Sequence, residues 1–478
     1  MQFTLPHATL AASIALLCGG SALGESSSLM RFETRSHRES SGIHVGDAQT
    51  KNAVASLDET PQLATRHFSV VRAEGAHMIR VHFAQFDLDQ VSEIHITSLA
   101  DGATQRFTHD MLEAWSGWSA IFNGDSVLVQ LLVAPNESVS FEIDEIAANT
   151  PPTEISEGGI ATICGSDSRT DSNDSRVGRL SGANCGDGGG CGGCTAWLTS
   201  IGCALTAGHC GTASGGLIEF NVPASNSAGL PVAAAPEDQY PVGGSYYAFQ
   251  EADVGFDWAI MDVGPNANTG LRAHWVQGYF HLDPDIPADN TTLRITGYGV
   301  DNSPAGSAPS TCCAWSNGSC IRTGCNADSL TLQTSTGPKS DHTTNSLSYA
   351  VDTEPANSGS PVIVNSSDFA IGIHTNGGCT STDGANVGTR LTQAVLSDYL
   401  NIFLGTNTVF VDFANVSSID LGTALNPLQS VVAGMSTTPT NGTVAIAGGS
   451  YTAANGHTGT FTKAVTLQAV SGTVTIGN

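Results

Sequence analysis

Three short segments, met in the order His, Asp, Ser, constrain this chain more than any other feature. They read Leu205-Thr206-Ala207-Gly208-His209-Cys210, Asp257-Trp258-Ala259-Ile260 and Asn357-Ser358-Gly359-Ser360-Pro361. A serine hydroxyl is a weak nucleophile at neutral pH. It attacks a carbonyl well only when an imidazole takes its proton and a carboxylate holds that imidazole in the right tautomer. Ser358 as nucleophile, His209 as base and Asp257 as orienting carboxylate fill these three roles. Trp258 and Ala259 read as a strand that runs on from Asp257 and buries it. Any fold that serves this set must bring three distant segments to one point.

Together the segments resemble those of chymotrypsin-like serine peptidases, especially the bacterial glutamyl and lysyl endopeptidases. Those carry Asn-Ser-Gly-Ser-Pro or Ser-Ser-Gly-Ser-Pro around the nucleophile. The resemblance spans residues 160–403. It implies a double β-barrel, with His209 and Asp257 on one half and Ser358 on the other. It implies peptide hydrolysis through an acyl-enzyme. It also implies an oxyanion hole built from the backbone N–H groups of Ser358 and Ala356. Most relatives have Gly at the latter position, which allows a positive φ, so Ala356 is a departure. A disulfide between Cys194 and Cys210 is a further implication, and would anchor the loop that presents His209. Asn357 is neutral, so the ammonium–carboxylate pair that switches on trypsin-like zymogens is not available here.

The primary pocket is ambiguous. Gly372-Ile373-His374-Thr375 resembles the strand that lines it. Glutamyl endopeptidases have a His there and a Thr five residues before the nucleophile, and His374 and Thr353 match both. Yet Thr353-Glu354-Pro355 also resembles the lysyl endopeptidases. Asp352 stands where trypsin places its pocket-floor Asp, and Asp383 lies within possible reach. These carboxylates would favour Lys or Arg.

The rest of the chain reads as exported and β-rich. Of 478 residues only 13% are charged, and 54 are Gly. Such a composition fits short strands and tight turns. The formal charge of −27 makes nucleic acid and anionic membrane surfaces poor partners. Residues 1–24 resemble a secretory signal, with an apolar run from Leu10 to Cys18 and a small-x-small cleavage site at Ala22-Leu23-Gly24, although no Lys or Arg precedes the run. Residues 25–61 are a polar leader. Residues 62–150 read as an antiparallel, β-sandwich-like domain and a possible pro-domain. Within it, Met78–Phe83, Ser126–Val133 and Val139–Ile143 are candidate strands. Asp101-Gly102 and Asn123-Gly124 are hairpin-type turns. Aromatics at 83–86 and 115–118 are expected in its core. Thr150–Thr153 reads as a linker, residues 160–404 as the peptidase domain, and residues 405–478 as a short β-helix-like module of about two or three coils.

Every cysteine except Cys18 lies between Cys164 and Cys379, and export makes disulfides the default. Their odd number leaves at least one thiol free, or one in an intermolecular bond. A zinc site at Cys312, Cys313, Cys320 and Cys325 is disfavoured in an oxidising compartment, and neither metal nor cofactor is expected. The acidic stretches Glu237-Asp238 and Asp283–Asp285 read as solvated turns rather than Ca²⁺ loops. The reading is therefore an all-β, secreted serine endopeptidase acting on proteins or peptides, with a weak preference for Glu. The alternatives are a Lys/Arg-specific endopeptidase and a catalytically silent, peptidase-shaped binding protein.

Overall fold

The computed structural model describes residues 63–149, 162–181, 193–199, 202–210, 215–226, 229–283, 285–301, 312–316, 319–323, 326–397, 400, 408–414, 427–438, 443–452 and 464–477. The expected signal, leader and linker lie outside the described residues. So do Cys325 and the side chains of Cys312, Cys313 and Cys320.

Apolar residues at every second position build the N-terminal domain. Its strands are β1 (Ala64–Arg72), β2 (Met78–Asp87), β3 (Glu93–Ser98), β4 (Thr104–Phe107), β5 (Phe122–Asn123), β6 (Ser126–Val133) and β7 (Ser140–Asn149). They form two antiparallel sheets, ordered β1-β6-β3-β4 and β5-β2-β7. Val127, Val129, Leu131 and Val133 of β6 point inward, as do Ile94 and Ile96 of β3. They meet Phe83, Phe107 and Trp115 in one core. Asp101-Gly102 turns the β3–β4 hairpin, with Gly102 at φ 79°. Asn123-Gly124 does not make a hairpin. β5 pairs with β2, whereas β6 pairs with β1 and β3, so this turn carries the chain from one sheet to the other.

The N-terminal domain does not complete its core alone. Leu217 and Ala233, from the segment that follows, belong to the same apolar cluster. Polar groups cross the boundary with equal regularity. Gln239, wholly buried, accepts from Ile121 N at 2.8 Å and donates to Ile121 O at 2.8 Å. Arg80, also wholly buried, donates to Ser119 O at 2.9 Å and to Gly215 O at 2.7 Å. The Trp115 indole N–H donates to Pro265 O at 3.0 Å. Asn123 accepts from Ala233 N at 2.8 Å.

Two closed barrels follow. β8 (Thr170–Asp171) is a short strand that later joins the second barrel. β9 (Val177–Ser181), β10 (Cys194–Leu198), β11 (Cys203–Thr206), β12 (Leu217–Glu219), β13 (Gln239–Glu251) and β14 (Asp257–Val263) close the first barrel in the order β10-β11-β14-β13-β12-β9. Inside it, Arg179 and Glu219 form a fully buried ion pair at 3.0 Å. Such a pair persists only when its remaining donors and acceptors are used. Arg179 also reaches Leu330 O and Val232 O, and Glu219 also takes Ala234 N and Ser181 Oγ.

β15 (Thr292–Gly297) opens the second barrel. β16 (Cys312–Ser316) and β17 (Ser319–Thr323) form a separate hairpin. β18 (Gln333–His342), β19 (Ser346–Tyr349), β20 (Pro361–Val364), β21 (Phe369–Asn376) and β22 (Asn386–Arg390) then complete the ring β15-β20-β21-β22-β19-β18, which closes where β18 pairs back onto β15. Closure leaves neither barrel a free edge along its ring.

The C-terminal unit has its own small core. β23 (Thr408–Val411), β24 (Thr443–Tyr451) and β25 (Thr466–Ile476) stack in parallel, so that Val411, Ile446 and Ala469 lie in one row. The helix Val431–Thr437 starts at Ser430, whose hydroxyl accepts from Ala433 N at 3.1 Å. Val431 and Met435 of that helix pack on Val411, Val444 and Ile446.

Candidate active site

His209 leaves β11 on a single 3-10 turn, Gly208–Cys210. Asp257 begins β14, the neighbour of β11 in the barrel. Asp257 Oδ1 accepts from the backbone N of His209 at 2.9 Å, and Oδ2 pairs with its Nδ1 at 2.6 Å. A Cβ on Gly208 would lie 2.0 Å from Gln250 O and 3.0 Å from Asp257 Oδ1, so only glycine lets the turn close on the carboxylate. Asp257 is buried, whereas the His209 side chain is 37% exposed. Burial lowers the His209 pKa, but the Asp257 hydrogen bond and charge, with Glu251 beyond, outweigh it and hold the imidazole above its ordinary value.

Ser358 sits on the loop before β20, in the second barrel. Thr195 of β10 ties that loop to the first barrel. Its N–H donates to Ser358 O at 2.8 Å, and its hydroxyl donates to Ala356 O at 3.0 Å. Gly359, at φ 90°, presses against Thr195 O and Thr206 Oγ1, where a Cβ would come within 2.1 and 2.2 Å. Asn357 packs over Gly297 and Gly299, whose missing side chains make its space. Thr389 of β22 supplies a second stitch, donating to Asp257 O at 2.8 Å. Sequence alone does not single out these threonines, because isolated Thr residues in strands carry no distinguishing pattern.

Ala356 adopts φ 78°, the left-handed region in which glycine is the usual residue. Among the described residues, the backbone N–H groups of Ala356 and Ser358 have no acceptor in the chain. Alanine therefore takes the glycine-like conformation here, at some strain. Ala356→Gly should stabilise the fold by about 0.5–1 kcal/mol, the relief of the left-handed penalty less the extra freedom of an unfolded glycine. Urea unfolding checks it, and a destabilised variant would show that no strain is held there.

The Cys194 and Cys210 sulfurs are bonded to each other beside His209. All three side chains lie within metal-ligating reach of one another, but the disulfide leaves no thiolate for an ion. A second disulfide joins Cys164 to Cys379.

The three pocket candidates differ. Asp352 is buried and committed. Oδ1 accepts from Cys164 N at 2.7 Å, and Oδ2 accepts from Ser168 N at 2.7 Å and Ser168 Oγ at 2.6 Å. Thr353 is wholly buried, and its hydroxyl lies between Asn386 Nδ2 at 3.0 Å and Thr162 Oγ1 at 3.2 Å. His374, on β21, lies directly behind the loop that carries Ser358. Its N–H donates to Ser360 O at 2.8 Å and its carbonyl accepts from Gly359 N at 2.7 Å. Burial, reinforced by the nearby His209 and opposed by Asp257, pushes the His374 pKa down to about 3. The ring is therefore neutral. Asp383 is an exposed turn residue whose carboxylate accepts from Gly384 N at 2.7 Å. In the other acidic stretches, Glu237 and Asp238 belong to the 3-10 turn Pro236–Asp238, where Asp238 accepts from Gln277 Nε2 at 2.9 Å and Glu237 from Asn268 Nδ2 at 2.7 Å, and Asp283 accepts from Asp285 N at 2.9 Å.

Residues 172–396 match the family model described as Trypsin. Solved structures in large number resemble the chain, among them two peptidases. One is a Glu endopeptidase in complex with MPD, 18% identical, covering 50% of this chain and 97% of that one, with a TM-score of 0.35. The other is the protease Anisep from Arthrobacter nicotinovorans, 15% identical, covering 49% of this chain and 99% of that one, also with a TM-score of 0.35. None of the curated proteins matches the chain.

Proposed function

We propose that the chain is a serine endopeptidase acting on protein or peptide substrates, since its residues 172–396 match the Trypsin family model, and that His209, Asp257 and Ser358 are its catalytic triad. The observation that carries this reading is the two-point grip of Asp257 on His209. A carboxylate on Nδ1 keeps the proton there and leaves Nε2 as the base. Ser358 Oγ attacks the scissile carbonyl while Nε2 takes its proton. The N–H groups of Ala356 and Ser358 receive the oxyanion. The tetrahedral adduct collapses, the C–N bond breaks, and His209 returns the proton to the leaving amine. Water, deprotonated in turn by His209, then releases the acyl group and restores Ser358.

For specificity we favour Glu over Lys or Arg. Asp352 argues against a basic side chain, since three donors from residues 164–168 already occupy its oxygens. His374 is the donor offered to a carboxylate, beside Thr353. Because His374 is neutral, one hydrogen bond to the substrate sets the preference rather than an ion pair. A hydrogen bond to a charged partner contributes about 1.5–3 kcal/mol. His374→Ala should therefore reduce the ratio of kcat/KM for Glu over Gln substrates about 10- to 100-fold. A wild-type enzyme that prefers Lys or Arg, and loses the preference in Asp352→Ala, would refute this assignment. Secretion is proposed with it. The Cys164–Cys379 and Cys194–Cys210 disulfides suit an oxidising compartment, and among the described residues no helix is long and apolar enough to cross a membrane.

A further inference from the structure

Tyr349 lies on β19 and His374 on β21, with β22 between them. The register sets Tyr349 opposite Asn386 and His374 opposite Gly388. Gly388 is what lets the two side chains meet across the intervening strand. A Cβ there would stand 3.1 Å from Tyr349 Oη and 2.5 Å from Ile373 O. Across this gap Tyr349 Oη and His374 Nδ1 are 2.8 Å apart, in a wholly buried setting.

A phenol and a neutral imidazole can share this bond in two ways. If Nδ1 carried the proton, Tyr349 would accept, and its own O–H would need another acceptor. Among the described residues, His374 Nδ1 is the only hydrogen-bond partner of that oxygen. A buried hydroxyl proton left without an acceptor is costly, so the phenol donates and Nδ1 accepts. Burial holds the Tyr349 phenol well above its ordinary pKa, so it keeps the proton that it gives to the bond. The neutral ring must then carry its own proton on Nε2.

We propose that Tyr349 is a positioning residue for specificity: by donating to His374 Nδ1 across Gly388, it fixes His374 as the Nε2–H tautomer and makes Nε2 a permanent donor for an acidic substrate side chain. This rests on the Glu-preferring reading of the pocket for its last step, but not for the tautomer itself. Without Tyr349, the ring is free to place its proton on Nδ1 and to turn an acceptor toward the same carboxylate, which would repel it.

The test uses the full chain and has two readouts. The first is the ¹⁵N spectrum of histidine-labelled protein, with His374 assigned through His374→Ala. The expected wild-type signature is a protonated Nε2 and an unprotonated Nδ1 at neutral pH. Tyr349→Phe, which removes one hydroxyl and keeps the ring, should shift both nitrogens toward the averaged values of mixed tautomers. The second readout is kinetic. In Tyr349→Phe the Glu-over-Gln ratio of kcat/KM should fall about tenfold, with the loss in KM. A wild-type His374 protonated on Nδ1 overturns the proposal, and does so even if the variant fails to fold. A variant that keeps both the wild-type tautomer and the wild-type ratio overturns it as well. A wild-type enzyme indifferent to Glu would instead defeat the pocket reading, while the nitrogen shifts still decide whether Tyr349 fixes the ring.

Discussion

Ser358→Ala is expected to lower turnover on peptide substrates about a million-fold while leaving the fold in place. In the proposed mechanism, loss of one hydroxyl removes the group that forms the acyl bond. The loop around it does not depend on that hydroxyl. Its anchors are backbone and neighbouring contacts: Thr195 N to Ser358 O, Thr195 Oγ1 to Ala356 O, and Gly359 N to His374 O. Thermal unfolding should therefore be unchanged within about a degree, and the residual rate should reflect the oxyanion donors and substrate binding alone. Labelling by a fluorophosphonate should be complete in the wild type and absent in the variant. Substantial hydrolysis by purified Ser358→Ala would remove Ser358 from the mechanism.

Asp257→Asn should cost about 10⁴ in kcat. The amide fits the same space, but it presents an N–H where a carboxylate oxygen met Nδ1. The ring then has to accept at Nδ1, which puts its proton on Nε2 and removes the base. The pH profile supplies an independent reading. In the wild type His209 is held above its ordinary pKa, against the pull of burial, mainly by Asp257. Only the neutral ring accepts the serine proton, so activity is full at higher pH and falls as pH drops through that raised value. Without the Asp257 charge, burial is no longer outweighed, and the acidic limb of kcat/KM should move to lower pH. A variant with near-normal turnover and an unmoved limb would show that Asp257 does not orient the base.

The parts of this molecule that are legible in the sequence are those written in contiguous residues. The three segments around His209, Asp257 and Ser358 each place their candidate residue beside the strand or turn that holds it. The apolar run Val127–Val133 likewise marks a strand by itself, and its alternate residues Val127, Val129, Leu131 and Val133 are the buried ones. What escapes is long-range. Asp352 looks like a pocket floor until Cys164 and Ser168, 188 and 184 residues earlier, are seen to occupy its oxygens. The partnership of Tyr349 with His374 depends on which strand lies between them, and no local periodicity records that. Asn123-Gly124 fails as a hairpin signal for a related reason. The dipeptide specifies a tight reversal, but the strands on either side choose partners by the core they can reach.

The shared core of the N-terminal domain and the first barrel also bears on maturation. A segment that merely leans on an enzyme drifts away once the connecting peptide is cut. Here, separation would expose Leu217 and Ala233 to water and strand both halves of the Gln239–Ile121 amide pair, the bond from Arg80 to Gly215 O and the Trp115 indole. Each buried polar group left without its partner costs about 1–3 kcal/mol. Proteolysis between the two regions would thus change the number of chains without changing the number of particles. The nicked protein would run as two bands in detergent and as one peak in buffer, with the first-made part of the polypeptide serving the rest as a permanent wall.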